Sequence, residues 1–286
     1  MANASDTTPD PAAVLRFYAE NGIDTVEAEA PSDLYGWGAK PPALASPPKT
    51  ASTPAPARLL NEAPAPSGPR AVTAADAPMP LPEAVALAER LAGEATDIPS
   101  LAEAIGAFKG CPLHAGARQA VVFDGVPNAP ILVMGEAPGR DEDREGKPFV
   151  GRSGQLLDRM LAAIGVARTP GDAQIPACIS NAIYWRPPGN RNPTKAEVAA
   201  CLPFMRRFIA LSRPKVLVLT GNVPTQAIWP DAKGITKTRG VWRTYDEDGQ
   251  AIPTLPIFHP AFLLRQPARK GAAWKDLQAI REKLAA

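Results

Sequence analysis

Apolar and polar positions divide the chain into two unlike parts. From residue 81 onward, short apolar runs alternate with amphipathic segments; between residues 31 and 80 neither pattern is present. The apolar runs fall at 130–134, 177–184, 215–220 and 252–258, each bounded by Gly, Pro or polar residues, the signature of buried strands. Helical periodicity fills the intervals, at about 152–165, 194–211, 222–229 and 270–285. In the first of these, Leu156, Leu157, Met160 and Leu161 share one face. Thr194 followed by Glu197 has the form of a capping box. Alternation of this kind predicts an α/β fold with a parallel sheet and helices on both faces. Upstream, Pro82 suits a helix start, with Ala84, Leu87 and Leu91 as its stripe. A second short helix is predicted over 98–107, capped by Ser100 with Glu103 three residues on. A β-like run, Ala120–Phe123, and an Asp-Gly turn complete the approach to the first strand.

The first part reads differently. Residues 10–21 predict a short amphipathic helix. Residues 31–80 are dominated by Pro and Ala and cannot bury enough apolar area to offset their ordering entropy, so they predict a disordered tether. The expected organisation is therefore a helical segment at 1–30, a linker at 31–80 and one folded domain at 81–286.

Composition narrows the class. A formal net charge of +2 over 286 residues gives no general basic character, so any nucleic-acid surface must come from local clustering. Three scattered cysteines provide no disulfide framework, as suits a reducing compartment. No apolar run approaches the roughly 18 residues of a membrane span. The expectation is a soluble cytoplasmic protein without a membrane partner.

Candidate chemistry gathers around residues 129–157, where a strand breaks into an acidic, Gly- and Pro-rich loop before a helix resumes. Strand, polar loop and helix is the arrangement in which an α/β sheet carries a site at a strand's carboxyl end. Gly135 and Gly139 allow close backbone approach to a ligand. Glu136, Asp141, Glu142, Asp143 and Glu145 are mostly solvated charges, but one carboxylate held near a reacting carbon can activate water. His259 follows the last strand and can donate to a developing oxyanion. Asn181 ends another strand; its amide can satisfy a buried neighbour or read both a carbonyl and an N–H of a pyrimidine edge. Phe149 is either a core anchor or a stacking platform for a flat ring. Arg186 lies in a rigid basic loop, and Lys237, Arg239, Arg265, Arg269 and Lys270 could together track a phosphate backbone.

These residues fall into four ordered motifs: Gly-Glu-Ala-Pro-Gly from Gly135, Gly-Lys-Pro-Phe-Val-Gly from Gly146, Asn181 followed by Arg-Pro-Pro-Gly-Asn-Arg from Arg186, and His-Pro-Ala-Phe-Leu-Leu-Arg from His259. From about residue 100 to the C-terminus the chain resembles the family 4 uracil-DNA glycosylases. The resemblance implies a three-layer α/β/α domain with a short central parallel sheet, acting as a monomer on uracil-containing DNA in the cytoplasm, associated with the nucleoid. It implies that Gly135, Glu136 and Ala137 line a uracil pocket, that Phe149 stacks on the flipped base and that Asn181 reads its edge. His259 would bond the uracil O2 as charge builds there. Glu142 would orient water and support the sugar cation, with Glu136, Asp141 and Asp143 as the other candidates. Leu263 or Leu264 would wedge into the minor groove, while Arg186, Arg239 and Arg265 would meet phosphates.

The resemblance also implies a [4Fe–4S] cluster on four cysteines, and here the sequence departs from it. Cys111 and Cys201 match two ligand positions, but Phe108 and Trp185 stand at the others. Two thiolates do not hold such a cluster in the usual way, so no cofactor is expected and the aromatics should fill its space. That loss leaves open a DNA-binding relative without catalysis; a separate alternative is a glycosylase for another deaminated base. A covalent trap through a histidine before Arg239-Gly240 is discounted, because Gly234–Thr238 contains none.

Overall fold

The computed structural model describes residues 79–171, 174–247 and 249–286, all within one compact unit, Val72–Ala286. The N-terminal helical segment and nearly all of the linker expected from the sequence lie outside the described residues. Helices α1 (Leu81–Glu94) and α2 (Ile98–Ala107) lead through a 3-10 turn (Pro112–Gly116) to β1 (Phe123–Gly125). Then follow β2 (Ile131–Gly135), α3 (Arg140–Glu145), α4 (Arg152–Ala162), β3 (Val166–Ala167) and β4 (Ile175–Asn181). The second half runs α5 (Lys195–Ser212), β5 (Val216–Thr220), α6 (Asn222–Ile228), α7 (Ile235–Thr238), β6 (Arg243–Glu247), β7 (Gln250–Ile257), α8 (Pro260–Arg265) and α9 (Lys270–Ala285).

The sheet order is β1-β4-β2-β5-β7-β6, with β3 beside β4. The four central strands are parallel, as expected; β1 and β6 close the path antiparallel at its two ends. Successive strand residues face opposite sides of a sheet, and β2 divides accordingly. Leu132 and Met134 join a core with α1, α2 and α5, while Ile131 and Val133 join a second core with α4 and α9. Helices therefore cover both faces of the central strands, which is why these strands read as nearly continuous apolar runs rather than alternating ones.

Several local expectations change. The cap of α2 is Asp97, whose carboxylate accepts from the Ser100 N–H at 2.8 Å; Ser100 sits at the third helical position and answers from there. Residues 182–184 leave the sheet although they are buried. The acidic loop contains a helix, α3, and the Pro260–Arg265 loop is itself helical. The Thr194–Glu197 capping box forms as expected, contributing about 1 kcal/mol.

Arg239, expected on phosphate, is instead a brace. Its Nε donates to Asp276 Oδ2 at 2.7 Å, its Nη2 contacts Asp276 Oδ1 and donates to the Ala272 carbonyl at 2.8 Å, and the guanidinium lies over the Phe258 ring. It thereby ties the segment after α7 to α9. Lys270, another of the five basic residues expected there, is buried. Removing one partner of such a pair strands the other. Asp276→Ala should therefore cost about 3 kcal/mol in urea unfolding, and Asp276→Asn, which keeps an acceptor, should cost less; equal, negligible losses would contradict this role.

Candidate functional site

The parallel register brings the carboxyl ends of the four central strands to one edge. Gly135 at the end of β2 pairs with Asn181 at the end of β4, and Thr220 of β5 pairs with Ile257 of β7. The chain turns off the sheet immediately after these positions, and the turns enclose a cavity of about 510 Å³. Its walls include Glu136 to Gly139, Glu142, Phe149, Asn181, His259 and Arg265. Of the residues expected to act, Glu136, Ala137, Glu142, Phe149, Asn181, His259 and Arg265 thus converge, whereas Gly135, Arg186, Arg239, Leu263 and Leu264 do not line the cavity.

Gly135 lies behind the wall, and its role is steric. A Cβ there would collide with Asn181 Oδ1 and with the Phe149 ring. The absence of a side chain lets both groups crowd against the strand end. Phe149 is 5 % exposed and has φ of 55°, a left-handed backbone uncommon for a bulky residue. Its ring stacks with His259 at 5.5 Å between centroids and 29° between planes.

His259 caps α8: its Nδ1 accepts from the Ala261 N–H at 3.1 Å. An accepting Nδ1 places the proton of the neutral ring on Nε2. Burial, with the Arg265 charge in support, lowers the imidazole pKa from 6.5 to about 4. The ring is therefore a neutral donor at physiological pH.

The two cavity carboxylates differ. Glu142 accepts from Val150 N at 3.1 Å and Gly151 N at 3.0 Å through Oε1, and from Gly139 N at 3.0 Å through Oε2. The carboxylate chosen from the sequence to orient water thus has both oxygens committed to three backbone N–H groups. It fastens the start of α3 to the start of α4. Glu136 carries no such bonds in the described structure. Burial raises its pKa, and Arg265 opposes the rise. Of the other candidates, Asp143 accepts from Arg118 N at 2.8 Å, and Asp141 faces Arg144 at 3.5 Å.

At the rim, Arg265 is exposed, and Leu264 is 41 % exposed. Leu263 is 1 % exposed and packed in the core, so of the two expected wedges only Leu264 is free to enter a groove. Arg186 bonds Asn190, and Arg191 forks onto Glu197, steadying the loop that forms the far wall. Sequence reasoning missed Asn222, which lines the cavity and accepts from Ile235 N at 2.7 Å. The signal was available: Thr220-Gly221-Asn222 is another polar step off a parallel strand.

Phe108, Cys111, Trp185 and Cys201 do meet in one buried core, together with Tyr184 and Phe204. Phe108 lies 6.2 Å from Trp185 and 5.0 Å from Phe204 between ring centroids. Two of the four implied ligand positions are thus carbon rings, and the donor set does not fit a four-thiolate cluster. Among the described residues no group of three or more His, Cys, Asp or Glu side chains is placed to hold a metal ion. No helix there is long and apolar enough to cross a membrane.

The cavity can hold a flat heterocycle between an aromatic face, one side-chain amide and a neutral imidazole N–H, with an uncommitted carboxylate at its edge. Comparison with known proteins gives this arrangement a lineage. The sequence model of the uracil DNA glycosylase superfamily matches residues 123–278. The Type-4 uracil-DNA glycosylase of Pyrobaculum aerophilum is 35% identical over 185 residues, covering 63% of this chain and 91% of that protein. That of Sulfurisphaera tokodaii is 36% identical over 188 residues, covering 63% of this chain and 81% of the relative. That of Thermotoga maritima is 39% identical over 157 residues, covering 54% and 77%. A match across more than half of the chain, sustained over most of each relative and coincident with the strands that build the cavity, shows that the chain belongs to the uracil DNA glycosylase superfamily.

Proposed function

We propose that this protein is a uracil-DNA glycosylase, a base-excision repair enzyme that hydrolyses the bond between uracil and deoxyribose in DNA and leaves an abasic site. The observation that carries this reading is the convergence of Phe149, Asn181 and His259 on one cavity in a chain of this family. A base must leave the duplex before its glycosidic bond is reachable, at a cost of a few kcal/mol. The extruded ring would lie on Phe149, with its edge read by the Asn181 amide. The His259 Nε2–H would donate to O2 as the departing uracil gathers negative charge; one such donor is worth roughly 3 kcal/mol, or about a hundredfold in rate.

The sugar left behind becomes cationic, and a carboxylate beside it stabilises that charge and directs water. Glu136 is better suited than Glu142, whose oxygens are occupied by the loop. Among the described residues no lysine lines the cavity, which favours a monofunctional hydrolase over a lyase. Leu264 would fill the gap left by the extruded base, with Arg265 on a phosphate. The enzyme would act as a monomer on DNA, in the cytoplasm and at the nucleoid. Phe108 and Trp185 would take the place of a cluster, so catalysis would proceed without one.

Single- and double-stranded oligonucleotides carrying uracil should break on alkaline treatment after incubation with the protein, whereas those carrying hypoxanthine should not. Intact uracil strands would overturn the assignment. Glu136→Gln should slow excision by about a hundredfold with little change in melting temperature, whereas His259→Ala should slow it as much and also lower the melting temperature, because it removes the cap of α8. Glu142→Gln should lower melting temperature as well, because a Gln amide cannot accept through both positions.

The imidazole of His259 should titrate near pH 4 by NMR. Its folded pKa lies below the unfolded value of 6.5, so its contribution to stability is complete above pH 6.5 and declines as pH falls toward 4. A midpoint near 6.5 would show an exposed ring instead. Protein purified without oxygen should be colourless and lack stoichiometric iron and sulfide; a brown, iron-loaded preparation would contradict the aromatic replacement.

A further inference from the structure

Phe149 owes its position to an interaction outside the cavity. Its φ of 55° costs a non-glycine residue about 1–3 kcal/mol, so something nearby must hold it. In extended chain successive carbonyls point to opposite sides; here the carbonyls of Pro148 and Phe149 are turned toward one cation. Arg168 Nη1 donates to Pro148 O at 2.9 Å, and Nη2 donates to Phe149 O at 2.9 Å. The same guanidinium is fixed from the other side. Nη1 also donates to Asp124 Oδ2 at 3.0 Å, and Nε donates to Asp158 Oδ1 at 2.8 Å. The Arg168 side chain is 11% exposed, and its bonds to the two carbonyls and to Asp124 are partly shielded from water, which strengthens them, while the bond to Asp158 lies at the surface.

The segment has no slack on its second side. A Cβ at Gly154 would collide with the Phe149 carbonyl, so α4 packs directly against this peptide. On the third side the ring meets the space above Gly135 and the face of His259. A displaced Phe149 peptide would therefore displace the stacked ring. We infer that Arg168, which does not line the cavity, is the positioning residue for its stacking face: it locks the left-handed Phe149 peptide through two carbonyls and is itself locked by Asp124 of β1 and Asp158 of α4. This role rests on the reading of the cavity as a base pocket. A lysine is a poor substitute, because only a planar fork with five donors serves four acceptors in fixed directions.

The chain contains two histidines, His114 and His259, and only His259 stacks on Phe149. Full-length protein with labelled imidazoles therefore reports the Phe149 ring directly by NMR. In Arg168→Gln the His259 Cε1–H resonance should move toward its position in Phe149→Leu, while that of His114, which packs on Trp185, stays in place. Single-turnover excision of uracil from an oligonucleotide should fall roughly 10- to 100-fold, the cost of a small misplacement beside the reacting group. Arg168→Lys should give smaller changes in the same directions, and it carries the test if the glutamine variant fails to fold. An unmoved His259 resonance in the folded variants, joint movement of both resonances, or unchanged excision alongside a shifted His259 would each overturn the role. Wild-type protein inactive on uracil, with the His259 shift nonetheless present in the variants, would overturn the proposed function and leave the geometric role of Arg168 standing.

Discussion

The site depends on one steric constraint, the pairing of Gly135 with Asn181 across two parallel strands. Strand side chains alternate faces, so a slip of one residue would turn Asn181 away from the cavity. The apolar runs prevent that slip, because it would also move Ile131 and Val133 out of one core and Leu132 and Met134 out of the other. The register is thus fixed by burial over the whole strand, at roughly 1.5–3 kcal/mol per large side chain, and the site inherits that precision. Gly135 then contributes by lacking a side chain. The Asn181 oxygen and the Phe149 ring both occupy the region a Cβ would need.

Charge is distributed with the same economy. A buried cavity favours neutral forms, and burial accordingly lowers the His259 pKa and raises that of Glu136. Arg265 acts on both, reinforcing the fall at His259 and resisting the rise at Glu136. One rim cation therefore favours the neutral form of the imidazole and the charged form of the carboxylate. This is the combination that a departing anion and a developing cation require. Glu142 has a mechanical part: three backbone N–H donors commit its carboxylate to holding α3 against α4.

Much of this was legible in the sequence, because the strands are buried on both faces and the polar residues at their ends are abrupt. Asn181 and His259 could be placed on one sheet edge from that pattern alone. The remainder depended on information that spacing does not carry. Leu263 and Leu264 are adjacent and chemically identical; only the phase of α8, six residues long, decides that one is core and the other exposed. Arg239 and Arg265 both lie at the carboxyl ends of short helices, yet Arg239 meets a carboxylate 37 residues away. Glu142 and Glu136 are separated by the direction of nearby N–H groups, which follows from the Gly139 turn and the left-handed Phe149. Short helices such as α3 have too few residues for a periodicity to register.

The aromatic core at the implied cluster position bears on the site through backbone connections. Trp185 immediately precedes the loop whose Pro187 and Asn190 to Asn192 form the far wall of the cavity. Tyr184 accepts from Val121 N at 2.7 Å, joining that loop to the segment before β1. The same segment reaches α3: Arg118 N donates to Asp143, and Gln119 Nε2 donates to the carbonyls of Asp143 and Arg144 at 3.2 Å. Asp143 adjoins Glu142. Two walls of the cavity are thus anchored to one core made of Phe108, Tyr184, Trp185 and Phe204, with ring pairs worth about 0.5–1.5 kcal/mol each beyond their buried area. Even Gly110, between Phe108 and Cys111, conforms to the ring, since a Cβ there would lie 2.5 Å from it. What a four-thiolate cluster would supply at this position is a rigid cross-link between distant segments of chain. Interlocked rings on the same segments, with Cys111 and Cys201 among them, join those segments by packing.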